Sequence, residues 1–199
     1  MKTIALAAVA GLATVASAGA DFSLTLVPSA MTVDVSGGAA TITIDVIGDS
    51  SFGTHMLGGA FTLGSSNALV TDMAWSPASW SSFNTDDGYA GNGNYNQVIF
   101  GQLVIPGVPP FDVPAAGSDL GSSIGSFTVT FDGGSGIVDF GLTAGSPFTL
   151  EAIDVNTGGT FQSADGSLSL NGASVNVIPA PSAMALLGLG GLVAGRRRR

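Results

Sequence analysis

The sequence predicts an all-β protein, an antiparallel two-sheet sandwich of jelly-roll or Ig-like type. Three observations carry this. About ten short segments alternate apolar and polar residues with period two, as half-buried strands do. Gly, Asn, Asp and Pro cluster between them, and the 30 glycines follow no collagen period, so they read as turns. No stretch of the central chain repeats its apolar residues with a helical period. Apolar segments at both ends add a signal helix before the sandwich and a hydrophobic helix after it. The expected division is 1–18, 19–176 and 177–199.

The first segment reads as a signal peptide. Met1-Lys2 is a positive start, Ile4 to Val15 is an Ala/Leu/Val run, and Ala16-Ser17-Ala18 is an A-x-A cleavage site. Ala18-Gly19-Ala20 is a second choice. The exported chain is expected to begin near Gly19 or Asp21.

The strands follow. Phe22 to Val27 alternates until Pro28-Ser29 breaks it, and Met31 to Val35 alternates again. Ala39 to Ile47 gives the clearest pattern, with Ile42, Ile44 and Val46 on one face and Thr41, Thr43 and Asp45 on the other. Leu57 to Leu63 and Ala68 to Trp75 are weaker strands. Ser76 to Asn96 is long and irregular, with Trp80, Phe83, Tyr89 and Tyr95 among Ser, Asn, Asp and Gly. Val98 to Ile105 reads as a strand, and Pro106 to Gly121 as a Pro/Gly loop. Ser126 to Phe131 sets Phe127, Val129 and Phe131 on one face. Ile137 to Leu142 and Phe148 to Val155 come next. Ser167 to Leu170 and Ala173 to Val177 suggest a closing hairpin around Asn171-Gly172, a type I′ turn signal.

The tail has three parts. Pro179-Ala180-Pro181 is a stiff extended hinge, because each Pro fixes its own φ and biases its predecessor away from helix. Ala183 to Gly195 is an apolar run. Arg196, Arg197, Arg198 and Arg199 hold its end on the cytoplasmic side. This tail resembles the PEP-CTERM sorting signal, with Ala180 where that family has Glu. The resemblance implies an exosortase-type membrane transpeptidase as partner, transient anchoring in the inner membrane, and a final place at the cell surface or outside it. It also implies association with exopolysaccharide and biofilm. The order of the strands loosely looks like a cohesin-type sandwich. The residues behind that likeness are a strand entering at Gly58-Gly59-Ala60-Phe61 and a later Gly125-Ser126-Phe127.

Charge excludes some functions. The only Lys is Lys2 and all Arg lie in the last four positions, while all 14 carboxylates lie between Thr3 and Gly195. A domain with no cation cannot neutralise phosphates, so nucleic acid is excluded as a partner. The absence of Cys excludes disulfides, thiol catalysis and Cys-ligated zinc.

Candidate chemistry is thin, and no catalytic residue is assigned. His55 is the only base for a triad, and no G-x-S-x-G elbow accompanies it. Glu151 and Asp139 are candidates for a glycosidase pair, although acids near strand ends are more often solvated. Glu151 and Ile153 are expected on one face, with Leu150, Ala152 and Asp154 on the other. Asn84, Asp86, Asp87 and Asn92 offer oxygen ligands of the kind calcium takes, but the twelfth position of the loop is Tyr95, not an EF-hand Glu. Calcium is the one cofactor in view. Trp75, Trp80, Tyr89 and Tyr95 either stack on sugar rings or pin the long loop to the sandwich; the loop's length favours pinning. Three functions compete: a non-catalytic surface or matrix protein acting on polysaccharide or other cells, a sugar- or protein-binding module, and a glycoside hydrolase. The terminal signals and the thin chemistry favour the first.

Overall fold

The computed structural model describes residues 21–66 and 68–178. The cleavage residues Ala16 and Ala18, the Pro179-Ala180-Pro181 hinge, both terminal apolar segments and Arg196 to Arg199 lie outside the described residues. Among those described, no helix is long and apolar enough to cross a membrane.

The described residues form a two-sheet sandwich with almost no helix. Its strands are β1 (Asp21–Pro28), β2 (Thr32–Asp34), β3 (Ala40–Ser50), β4 (His55–Ser65), β5 (Val70–Pro77), β6 (Thr85–Asp86), β7 (Tyr89–Gly91), β8 (Asn94–Gly101), β9 (Ser122–Phe131), β10 (Gly136–Ala144), β11 (Glu151–Asp154), β12 (Gly159–Gln162), β13 (Ser167–Asn171) and β14 (Ala173–Ile178). Among the described residues, a single 3-10 turn spans Ser163–Asp165. One sheet has the order β13-β1-β3-β9-β5. The other has nine strands, with the path β12-β11-β4-β10-β14-β2 and with β8 against β4, carrying β6 and β7 on its far side.

Alternation builds the core as expected. Ile44 and Val46 of β3 and Phe127, Val129 and Phe131 of β9 are completely buried, while Thr41, Thr43 and Asp45 face solvent. From the other sheet come Phe61, Leu63, Val98, Phe100, Val138 and Val175. Phe127 sits at the centre, 4.8 Å from the Trp75 ring, 5.0 Å from Tyr95 and 6.2 Å from Phe61. Such offset and edge-on pairs add to the area term.

Several sequence expectations are corrected. The sandwich is not wholly antiparallel: β1–β13 and β2–β14 are parallel. The closing hairpin does not exist. β13 joins one sheet beside β1 and β14 joins the other beside β10, so Asn171-Gly172 carries the chain between sheets. Neither residue has the positive φ that a type I′ turn requires. Gly172 stands there because a Cβ would collide with the Phe140 carbonyl. The strand expected to reach Ile105 stops at Gly101. The irregular stretch 76–96 contains the short strands β6 and β7. Glu151 does not alternate cleanly with its neighbours, because a bulge between Glu151 and Ala152 leaves both Ala152 and Ile153 buried.

Candidate functional site

The outer face of the nine-stranded sheet, away from the other sheet, holds the most developed surface. It carries two open depressions at opposite ends of β4. One, of about 520 Å³, is mainly apolar and lies against Leu57, Phe83, Ile99, Leu103 and Phe148, with Glu151 among its lining. The other, of about 580 Å³, is polar and is lined by Thr62, Asn94, Asn96, Gln97, Asp139 and Thr143.

Strand geometry explains the apolar depression. Val98 and Phe100 point into the core, so Ile99 between them points out. Gly58 and Gly101 oppose each other across β4 and β8. A Cβ at Gly58 would lie 2.6 Å from the Phe100 carbonyl oxygen, so only glycine lets the strands approach here. Phe83 is brought in by its N–H bond to the Gly101 carbonyl, at 2.9 Å. On the far wall, β12 is set by the turn after Asp154. The Asp154 carboxylate accepts from the Asn156 N–H at 3.0 Å and the Thr157 hydroxyl at 2.8 Å. The Thr157 bond, followed by those from Asn156, holds its pKa below the usual carboxylate value.

The rim is the long segment after β8, clamped from below. Gln102 donates from Nε2 to the Met56 carbonyl at 2.7 Å and accepts the Ala115 N–H at 2.8 Å. The Met56 N–H reaches the Ser118 carbonyl at 2.8 Å. Between these anchors Leu103, Ile105, Val108, Phe111 and Val113 are all exposed, and Val113 is 71% exposed.

His55 belongs to the same clamp. Its Nε2 lies 3.3 Å from Asp119, and its Nδ1 lies 2.9 Å from the Thr54 hydroxyl. The constellation of hydroxyl, imidazole and carboxylate looks like a triad, but its hydroxyl is engaged by the backbone on both sides. The Thr54 hydroxyl donates to the Ile153 carbonyl at 3.1 Å and accepts the Val155 N–H at 3.3 Å. Held by these two backbone groups, the hydroxyl acts as a structural tie between the start of β4 and β11. The three residues tie the start of β4 to β11 and to the rim.

The glycosidase candidates are not brought together. Glu151 pairs with Gly58 at one end of β4, and Asp139 lies beyond Ser65 at the other. The register separates them by roughly 25 Å, against the ~5–10 Å that such carboxylate pairs need. Of the calcium candidates, the Asn84 side chain is engaged at both ends by Ser81. Asp86 Oδ1 accepts the Tyr95 hydroxyl at 2.7 Å and the Gly88 N–H at 2.8 Å. Asp87 is exposed, and Asn92 holds a left-handed turn with φ 54°. Among the described residues, no group of three or more His, Asp or Glu comes together that could hold a metal.

The aromatic residues pin the loop; they form no sugar platform. Trp75, Trp80 and Tyr95 are buried. Trp80 Nε1 donates to the Ser123 carbonyl at 3.0 Å, and Tyr89 donates to the Val70 carbonyl at 2.9 Å. Sequence reasoning missed the outward apolar set. Ile99 and Leu103 fall within the single strand that Val98 to Ile105 suggests, and Phe83 and Phe148 follow polar or Pro residues that give no face. The one available signal was the density of apolar residues around Pro106 to Pro114, too high for a merely solvated loop.

No family model matches the chain, and no curated protein matches it. Among solved structures it is similar to the cohesin module of a family 33 glycoside hydrolase from Clostridium perfringens. That match has 11% identity and a TM-score of 0.48, and covers 82% of this chain and 99% of that one. A type I ScaB cohesin from Pseudobacteroides cellulosolvens matches at 11% identity and a TM-score of 0.45, over 82% and 96% of the two chains. A non-cellulosomal cohesin from the archaeon Archaeoglobus fulgidus matches at 9% and 0.40, over 78% and 91%. At such identities and TM-scores the likeness carries no inference about ligand or activity.

Proposed function

We propose that this chain is an exported, non-catalytic surface or matrix protein whose sandwich works by binding. In this reading an exosortase-type transpeptidase sorts it through the C-terminal tail after transient anchoring in the inner membrane. Its working place is then the envelope or an exopolysaccharide matrix. One observation supports the binding role above the others: the outer face of the nine-stranded sheet is open and carries two depressions, one at each end of β4, while the candidate acids and the single His lie apart or in structural locks. The polar depression, rich in Asn, Gln and Thr, offers the donors and acceptors that a glycan uses. A second reading, a cohesin-like protein-binding module, is favoured by the apolar depression.

Affinity electrophoresis of the purified protein through gels containing the host's exopolysaccharide tests this. The expected result is retarded migration with the polymer's size distribution unchanged. Shortening of the polymer would make the protein an enzyme and overturn the proposal. Unretarded migration would remove the polysaccharide and leave the protein-binding reading.

A further inference from the structure

We infer that the apolar depression at the Leu57 end of β4 docks a basic, apolar-faced segment of another protein, with Glu151 facing the incoming cation. This rests on the reading of the sandwich as a binding domain. Phe83, Phe148 and Leu103 stand 57%, 48% and 58% exposed around the depression, and the chain that leaves it after Val104 carries further exposed apolar side chains at Ile105, Val108, Phe111 and Val113. Scattered apolar side chains need no explanation, but a contiguous patch in a concave site marks an interaction surface. The Glu151 carboxylate makes no hydrogen bond or ion pair with any described residue. It is the only charged group in a mainly apolar lining, where a partner's Lys or Arg would be partly desolvated and so held more firmly than on an open surface.

Charge chooses the occupant. The described domain carries all 14 carboxylates of the chain and no Lys or Arg. A second copy would bring the same uncompensated negative charge to the contact, and an anionic lipid surface would be repelled in the same way. A neutral glycan needs many hydrogen-bonding groups, yet the Gln102 amide of this lining is already bonded at both ends, to Met56 and Ala115, which leaves only Thr149, Thr160 and Glu151 as polar lining side chains. An apolar segment flanked by Lys or Arg satisfies the wall, the carboxylate and the net charge together.

The test is fluorescence anisotropy of the protein as isolated from its host, with a labelled amphipathic Leu/Lys peptide as probe. Two controls accompany it, a Leu/Glu peptide of the same pattern and a Ser/Lys peptide of the same charge. Because both rings are about half exposed, Phe83→Ser/Phe148→Ser is expected to keep the fold, and an unchanged thermal unfolding curve checks this. The Leu/Lys peptide should bind, and neither control should match it. The double Phe variant should weaken binding about tenfold or more, and Glu151→Gln about threefold. Equal binding by the wild type and the Phe variant would place the peptide on the general acidic surface and overturn the assignment. Preference for the Leu/Glu peptide would also overturn it. So would a concentration-dependent dimer in sedimentation velocity that the Phe variant abolishes, since the occupant would then be a second copy. If the chain is exported and binds polysaccharide but fails here, only the docking assignment falls.

Discussion

At the scale of single residues, Tyr95 does most to join the irregular segment to the core. Its ring packs on Phe127, and its hydroxyl donates to Asp86 while accepting the Trp75 N–H at 3.2 Å. Burial, and then the bond to Asp86, push its pKa up to about 12. In the unfolded chain this phenol loses its proton near its ordinary value of 10.0, while the folded chain keeps it. Stability is therefore complete below about pH 10 and declines as pH rises from there through about 12. Tyr95→Phe should flatten that decline. It should also cost about 1–2 kcal/mol at neutral pH, because Trp75 N–H and Asp86 lose their partner. Urea unfolding of both forms at pH 7 and across pH 10 to 12 measures this. Gly125 is a second sensitive point. Its φ is +150°, and a Cβ there would run into the Trp75 ring and come within 2.7 Å of the Ser76 carbonyl oxygen. Gly125→Ala should cost roughly 2–4 kcal/mol by the same assay.

At the scale of elements, the segment after β8 behaves as a strap held by few bonds. Gln102 provides two of them, so Gln102→Ala should free the Leu103 to Ala115 stretch while leaving the core intact. Amide exchange there should accelerate by roughly tenfold or more, with Val98 and Phe127 unchanged, as hydrogen-exchange mass spectrometry would show. This strap also marks the limit of what the sequence reveals. Strands with strict alternation, β3 and β9 above all, were legible because the core selects every second residue. Pairing partners were not, since a period says nothing about which strand lies alongside. Asn171-Gly172 has the composition of a hairpin turn, and nothing local shows that Gly172 is there to pass the Phe140 carbonyl. The end of β8 was hidden for a similar reason. Leu103 and Ile105 continue an apolar pattern, and only the opposed glycines at 58 and 101 show where the sheet ends. The candidate site was legible only for Glu151, because the outward direction of Ile99 depends on the register of its neighbours.

At the scale of the whole molecule, electrostatics set the terms. A domain with 14 carboxylates and no Lys or Arg repels itself when folded. Raising ionic strength from ~10 to ~150 mM should screen this and raise the melting temperature, by roughly 2–4 °C for each kcal/mol of repulsion relieved. A flat or falling melting temperature would mean that the charges are too dispersed to matter. The same imbalance gives the tail its meaning, since every Arg of the chain stands behind the apolar run at 196–199. On the proposed sorting route, those arginines serve only until the protein is cut. Intact mass spectrometry of the protein from its native host, with envelope and medium separated, tests this most directly. The proposal predicts loss of residues 1–18 and of everything after the Pro179-Ala180-Pro181 region. A membrane-bound species whose mass still includes Arg196 to Arg199 would contradict it and make the tail a permanent anchor.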